Sequence, residues 1–233
     1  MSADRLVIAI DGPSGSGKSS ASRGVAKALG LAYLDTGAMY RAVACAFLDA
    51  GVDPTDEARV IAATLGADLE ISTDPDDQWV RVNGRDVTTA IREPEVSSKV
   101  SAVSTLAECR ANLVARQRAI IESAAQGIVA EGRDITTVVA PDADVRLLLT
   151  ADPAIRMARR QLELGDKVDA AQLADQVLRR DSDDSKLVNF TTAADGVTHL
   201  DGSYLTLEQT IQAVVDLAAE ARAGNAGSAR SAG

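Results

Sequence analysis

The stretch LVIAIDGPSGSGKSSA, Leu6 to Ala21, constrains this chain more than any other part of it. An apolar run there breaks into glycines and then opens a helix-forming segment, so strand, loop and helix must follow one another without a spacer. Gly12, Gly17, Lys18 and Ser19 occupy every fixed position of the phosphate-binding pattern G-x-x-x-x-G-K-[ST]. A triphosphate needs several backbone N–H groups pointed inward at once, and glycine at the tight positions lets the main chain come that close. A helix beginning near Gly17 adds its own unpaired N–H groups and the positive end of its dipole. Gly12, Pro13, Ser14, Gly15, Ser16, Gly17, Lys18, Ser19 and Ser20 are therefore the candidate triphosphate ligands. Lys18 reaches the outer phosphates as a point charge in this reading, and the Ser19 hydroxyl holds a magnesium ion already bound to them. The competing reading is a glycine-rich turn with no ligand, and the strand–loop–helix context weighs against it.

Bulk properties narrow the setting. With 233 residues, 46% hydrophobic and 25% charged, the chain is long enough for a sizeable core and an inserted subdomain. A net charge of -10 disfavours wholesale binding to nucleic acid or to an anionic membrane surface, so a phosphate ligand must be held by local clusters of Lys and Arg. Cys45 and Cys109 are the only cysteines and both fall in helical stretches, which points to buried thiols in a reducing, cytoplasmic compartment. No basic, apolar leader precedes Leu6, and no apolar run approaches the roughly 18 residues that a membrane span requires.

Taken in order, the first helix runs from the loop to a stop at Gly30, and Ala32–Asp35 reads as a second buried strand. Asp35-Thr36-Gly37 turns into an alanine-rich helix carrying Tyr40 and Arg41 one turn inside its start. Arg41 is there either an anion ligand or a solvated helix-face arginine. From Asp53 the texture changes to a helix over 56–65 and three short segments, 68–73, 78–83 and 85–88, with the turn signal Asn83-Gly84 between the last two. This predicts a small antiparallel insertion over 53–92, with Trp79 packing it. Helices follow over 96–103 and 106–124, the second with Leu113, Val114, Ile120 and Ile121 as its buried stripe.

The parallel pattern resumes at Gly127–Ala130 and ends in the charged quartet Glu131-Gly132-Arg133-Asp134, at the strand end where open α/β sheets bind ligands. Val145–Leu149 is a fourth strand. Asp152-Pro153 caps a helix whose Arg156, Arg159 and Arg160 share one face, either a mobile lid over a triphosphate or an ordinary charged surface. Further helix is expected over 170–180. Gly196–Leu200 reads as a last buried strand holding His199, and 206–221 as a covering helix. A small, polar tail over 223–233 is expected to be disordered. The fold class is thus α/β: a five-stranded parallel sheet with helices on both faces, in three layers, around a phosphate-binding loop, with the antiparallel insertion and a short lid over about 152–168.

Particular blocks narrow the chemistry. IDGPSGSGKSS at 10–20, LDTGAMYR at 34–41, the long insertion, EGRDITTVV at 131–139 with PDADV at 141–145, and RRDSDDS at 179–185 stand in the order and spacing of bacterial cytidylate kinases. The chain resembles that family from about Leu6 to Ala221. The resemblance implies ATP-dependent phosphorylation of CMP, and of dCMP, with Mg²⁺. It places ATP on the loop and CMP under the inserted subdomain, aided by part of the helix over about 96–110. It further implies that Ser101, Arg110 and Asp134 read the cytosine edge, that Arg41 and Arg133 hold the CMP phosphate, that Arg180 and Asp184 reach the ribose, and that Thr36 is a further CMP-binding residue. Lys18, Arg133, Asp134 and the lid arginines Arg156, Arg159 and Arg160 are its implied catalytic set. A monomer without nucleic-acid or membrane partners is expected.

One block departs from the family pattern. Where R-D-x-x-D-S-x-R is common, the chain reads Arg180-Asp181-Ser182-Asp183-Asp184-Ser185-Lys186-Leu187, so Leu187 replaces an arginine that resembles a further ligand for the monophosphate. Lys186 lies one position early and lacks the planar fork of a guanidinium. Among rivals, a GTP-dependent switch needs a guanine-reading segment such as N-K-x-D, and none follows the loop. Other small-acceptor kinases of this fold, and a non-catalytic nucleotide-binding regulator, remain as alternatives.

Overall fold

The computed structural model describes residues 5–164 and 192–231. The expected helix over 170–180 and the residues Arg180, Asp184, Lys186 and Leu187 lie outside the described part, as does the side chain of Arg160. The first strand, β1 (Leu6–Asp11), is buried along its whole length. Its side chains alternate: Leu6, Ile8 and Ile10 join one apolar cluster while Val7 and Ala9 join another, as a strand covered on both faces must. Helix α1 (Lys18–Leu29) leaves the loop and ends at Gly30 with left-handed backbone. Strand β2 (Ala32–Asp35) and helix α2 (Thr36–Asp49) follow directly, the Asp35 carboxylate accepting from the Ala38 N–H as the N-cap.

The insertion opens with α3 (Glu57–Gly66), continues through β3 (Leu69–Ile71), β4 (Val80–Val82) and β5 (Arg85–Asp86), and ends in a 3₁₀ turn, Ala90–Arg92. These strands form an antiparallel three-stranded sheet in the order β3-β4-β5. Val60, Val80, Val82, Val87 and Ile91 are buried in the same cluster as α2, so the insertion shares a core with the sheet face it covers. Its loop also grips the core: Tyr33 N–H donates to the Thr73 carbonyl at 2.9 Å, and Lys27 of α1 pairs with Asp76. Trp79 is half-buried under the Arg81 guanidinium, 4.7 Å above the ring.

Two short helices, α4 (Pro94–Lys99) and α5 (Ser101–Ser104), precede α6 (Ala107–Ser123). Its buried stripe is Cys109, Leu113, Gln117 and Ile121, while Val114 and Ile120 flank it half-buried. The chain then enters β6 (Gly127–Gly132), a π-helical turn (Ile135–Val139), β7 (Val145–Thr150), α7 (Pro153–Leu164), β8 (Thr198–Asp201) and α8 (Leu207–Ser231). The main sheet has the order β2-β6-β1-β7-β8, every pair parallel. Helices α1 and α8 cover one face; α2, α6 and the insertion cover the other.

Two expectations are corrected. His199 lies on β8, the edge strand of the sheet among the described residues; it is exposed and bonds Thr150 Oγ1 at 2.7 Å instead of being buried. The covering helix does not stop at 221 but continues through Ser231.

Candidate active site

The loop from Gly12 to Gly17 sits at the C-terminal end of β1, and its glycines answer to the protein before any ligand. A Cβ on Gly12 would lie 2.2 Å from the Leu149 carbonyl of β7. One on Gly15, whose φ is 75°, would lie 2.5 Å from the Arg156 carbonyl of α7. The loop is thus clamped between neighbouring backbones, which presets its N–H groups for an anion without reorganisation.

In front of it opens a cavity of about 470 Å³. Gly15, Gly17, Lys18, Ser19 and Ser20 form one end. Arg110, Arg133 and Asp134 belong to the wall contributed by α6 and the end of β6, and Thr36, Tyr40 and Arg41 come from the start of α2. From the insertion side Gln78, Arg92, Ser97, Val100 and Ser104 close it. Among the described residues, six cations reach this cavity (Lys18, Arg23, Arg41, Arg92, Arg110 and Arg133) against three carboxylates (Asp35, Glu131 and Asp134). In a chain of net charge -10, that local excess of three positive charges marks an anion site.

Each carboxylate holds one of the cations. Asp35 Oδ2 accepts from Arg41 Nη2 at 2.8 Å, Asp134 Oδ2 from Arg110 Nη2 at 3.0 Å, and Glu131 Oε2 stands 3.8 Å from Lys18 Nζ. Glu131 also accepts from the Tyr33 hydroxyl at 3.0 Å and from Ser19, and its backbone carbonyl accepts from Thr36 Oγ1 at 2.8 Å. Burial, and then the negative charge of Asp35, pushes the Glu131 carboxyl above its ordinary range. Burial pushes Asp35 the same way, but Arg41, the Ala38 N–H and Lys18 together outweigh it and leave that carboxyl below its ordinary range. Burial and the two neighbouring carboxylates raise the Tyr33 hydroxyl strongly, so it stays a neutral donor to Glu131.

The structure therefore brings together Lys18, Ser19, Thr36, Arg41, Arg110, Arg133 and Asp134 of the expected residues. It does not place Ser101 on the wall. Ser97, Val100 and Ser104 recur at three- and four-residue spacing and line it, while Ser101 flanks that stripe with its carbonyl accepting from Thr105 Oγ1 at 2.7 Å. Arg156 and Arg159 also stand outside the cavity lining: Arg156 Nη1 donates to the Ser14 carbonyl at 2.9 Å, and Arg159 bridges the carbonyls of Ser16 (3.2 Å) and Gly202 (2.8 Å). In this state they brace the outer side of the loop. Sequence reading passed over Tyr33, Asp35, Gln78 and Arg92 as site residues and took Glu131 only as part of a charged turn. The run Leu34-Asp35-Thr36 beside Glu131-Gly132 signalled the pair only once β2 and β6 were known to be neighbours, with Asp35 in register with Glu131.

A parallel α/β sheet with a phosphate-binding loop facing an arginine-rich cavity across its C-terminal edge defines the class of P-loop phosphotransferases. The comparisons narrow this. The cytidylate kinase family model matches residues 8–220. A cytidylate kinase of Cutibacterium acnes is 57% identical over 93% of this chain and 97% of its own. Those of Streptomyces avermitilis, 46% identical over 94% of both chains, and Corynebacterium glutamicum, 45% identical over 93% and 96%, are similar throughout. The chain belongs to the cytidylate kinase family.

Proposed function

We propose that this chain transfers the γ-phosphoryl group of ATP to CMP, and to dCMP. The observation that carries the reading is a shared cavity with the phosphate-binding loop at one end and the Arg110–Asp134 pair at the other. Cytosine offers an N4 amine that a carboxylate accepts from, and ring acceptors that a guanidinium donates to; uracil carries an acceptor at that position and would face Asp134 with its own lone pairs. Arg41 and Arg133 lie in the same lining and are assigned the acceptor phosphate, whose oxygens are ionised and need no strong general base. Catalysis then consists of holding the two phosphates in line and neutralising charge, with Lys18 on the moving group. Ser19 and Glu131, hydrogen-bonded to one another beside Lys18, fit a magnesium ion carried in by ATP. When bound, it supplies further positive charge at the phosphates. Arg156 and Arg159 are assigned to a lid that exchanges loop carbonyls for phosphate oxygens when ATP arrives, keeping water out.

Among the described residues no helix is long and apolar enough to cross a membrane, and both cysteines are unpaired and buried, which supports a reducing, cytoplasmic setting. The test is a coupled assay for ADP release with CMP, dCMP, UMP and AMP as acceptors. CMP-dependent release with CMP and dCMP preferred is expected. A preference for AMP, or release independent of any acceptor, would overturn the proposal.

A further inference from the structure

Asp11 closes β1 and immediately precedes Gly12, so its backbone delivers the donor loop. Its side chain does something else. The carboxylate, in a residue only 3% exposed, accepts from Ile135 N–H at 2.8 Å through Oδ1, and from Thr136 N–H at 2.8 Å and Thr136 Oγ1 at 2.6 Å through Oδ2. Ile135 and Thr136 follow Arg133-Asp134 directly and begin the π-helical turn, whose later N–H groups at Val138 and Val139 return to the Asp134 carbonyl at 2.9 and 3.1 Å. On the other side of Arg133-Asp134, Gly12 N–H donates to the Gly132 carbonyl at 3.3 Å. Two consecutive residues, Asp11 at the end of the donor strand and Gly12 at the start of the loop, thus stitch the backbone on both sides of the two acceptor-facing residues.

A buried carboxylate with no cation against it is costly, and burial indeed pushes the Asp11 carboxyl up while its three hydrogen bonds oppose the shift. The sheet does not need this group, since an apolar residue ends a buried strand at less cost. The donors it satisfies are the otherwise unpaired first N–H groups of a turn whose preceding side chains must be aimed at a ligand. We infer that Asp11 is a positioning residue that sets the Arg133–Asp134 turn against the phosphate-binding loop, so that acceptor recognition and the donor site keep a fixed register. This rests on the reading of Asp134 as the residue that meets the cytosine amine.

Asp11→Asn keeps the shape but turns one acceptor oxygen into a donor facing N–H or O–H, and Thr136→Val removes the hydroxyl bond alone. For each, the melting temperature, KM for ATP, KM for CMP and the ratio of kcat/KM for CMP over UMP are measured on the full chain. Asp11→Asn is expected to lower the CMP/UMP ratio about tenfold and to raise KM for CMP, with KM for ATP within about twofold of the parent. Thr136→Val moves the same quantities less, and Thr136→Ser restores them. An unchanged CMP/UMP ratio, or KM for ATP rising in step with KM for CMP, overturns the inference, because a merely structural role would loosen both ends alike. Should Asp11→Asn fail to fold, the Thr136→Val and Thr136→Ser pair decides. Asp134→Asn separates the premise from the inference: no change of ratio there removes the reading of Asp134, whereas a change there with none in Asp11→Asn or Thr136→Val removes only the positioning role.

Discussion

The two ends of the cavity are built by opposite means. The donor end is one continuous segment, Gly12 to Ser20, whose groups are main-chain N–H and whose shape is imposed by the Leu149 and Arg156 carbonyls behind it. The acceptor end is assembled from side chains of three separate places, Arg41, Arg110 and Arg133-Asp134, two of them ion-paired to a carboxylate. A main-chain site is rigid and indifferent to which nucleotide supplies the phosphates, while a side-chain site carries selectivity and depends on every partner that aims it. Damage at one end should therefore appear in one substrate's parameters and not in the other's.

The sharpest way to break that contrast is Lys18→Ala, which removes the side-chain charge carried by the Gly12–Ser20 segment itself. A loss of roughly 10² to 10³ in kcat is expected in the ADP-release assay, with CMP binding retained. Gly15→Ala attacks the donor backbone: a methyl group at φ 75° against the Arg156 carbonyl should cost about 1–3 kcal/mol locally. KM for ATP should then rise by about tenfold while KM for CMP holds; a matching rise for CMP would show that the ends are not separate. Leu187→Arg, at a position outside the described residues, restores the fork that the family pattern carries and, if that arginine meets the monophosphate as the resemblance implies, should lower KM for CMP several-fold without touching ATP. An unchanged KM for CMP would show that Arg41 and Arg133 already suffice.

Glu131→Gln gives the smallest expected effect, one on stability, read by Tm without nucleotide because the residue is also assigned to the magnesium ion. Because the folded-state pKa of Glu131 is raised, its charge opposes folding at pH above that pKa, and the penalty disappears as pH falls through the folded value toward the ordinary one. At pH 8 the substitution should raise Tm by roughly a few degrees, and the gain should shrink as pH falls into the ordinary carboxylate range. A lower Tm at pH 8 would mean that the bonds to Lys18, Ser19 and Tyr33 outweigh burial.

How much of this was legible beforehand follows the same contrast. The loop, all five core strands and the antiparallel insertion could be read because each is local: glycine spacing, apolar runs and the Asn83-Gly84 turn announce themselves within a few residues. Asp11 could not be read, since its partners at Ile135 and Thr136 lie more than a hundred residues away and only the β1–β6 pairing brings them to it. The Glu131–Asp35 pair was hidden for the same reason. His199 was misplaced because an apolar-looking strand does not say whether it lies at a sheet's edge, and the loop carbonyls that Arg156 and Arg159 brace could not be read because they lie more than a hundred residues away.

The most direct measurement of the central claim is equilibrium titration of Arg110→Ala with CMP and, separately, with a non-hydrolysable ATP analogue. Removing this guanidinium breaks its ion pair with Asp134 at the acceptor end and leaves the sequence of the loop unchanged. CMP affinity should fall at least about tenfold while the affinity for the ATP analogue stays as it was. Equal losses for both ligands, or an undiminished affinity for CMP, would contradict a cavity made of two independently built halves.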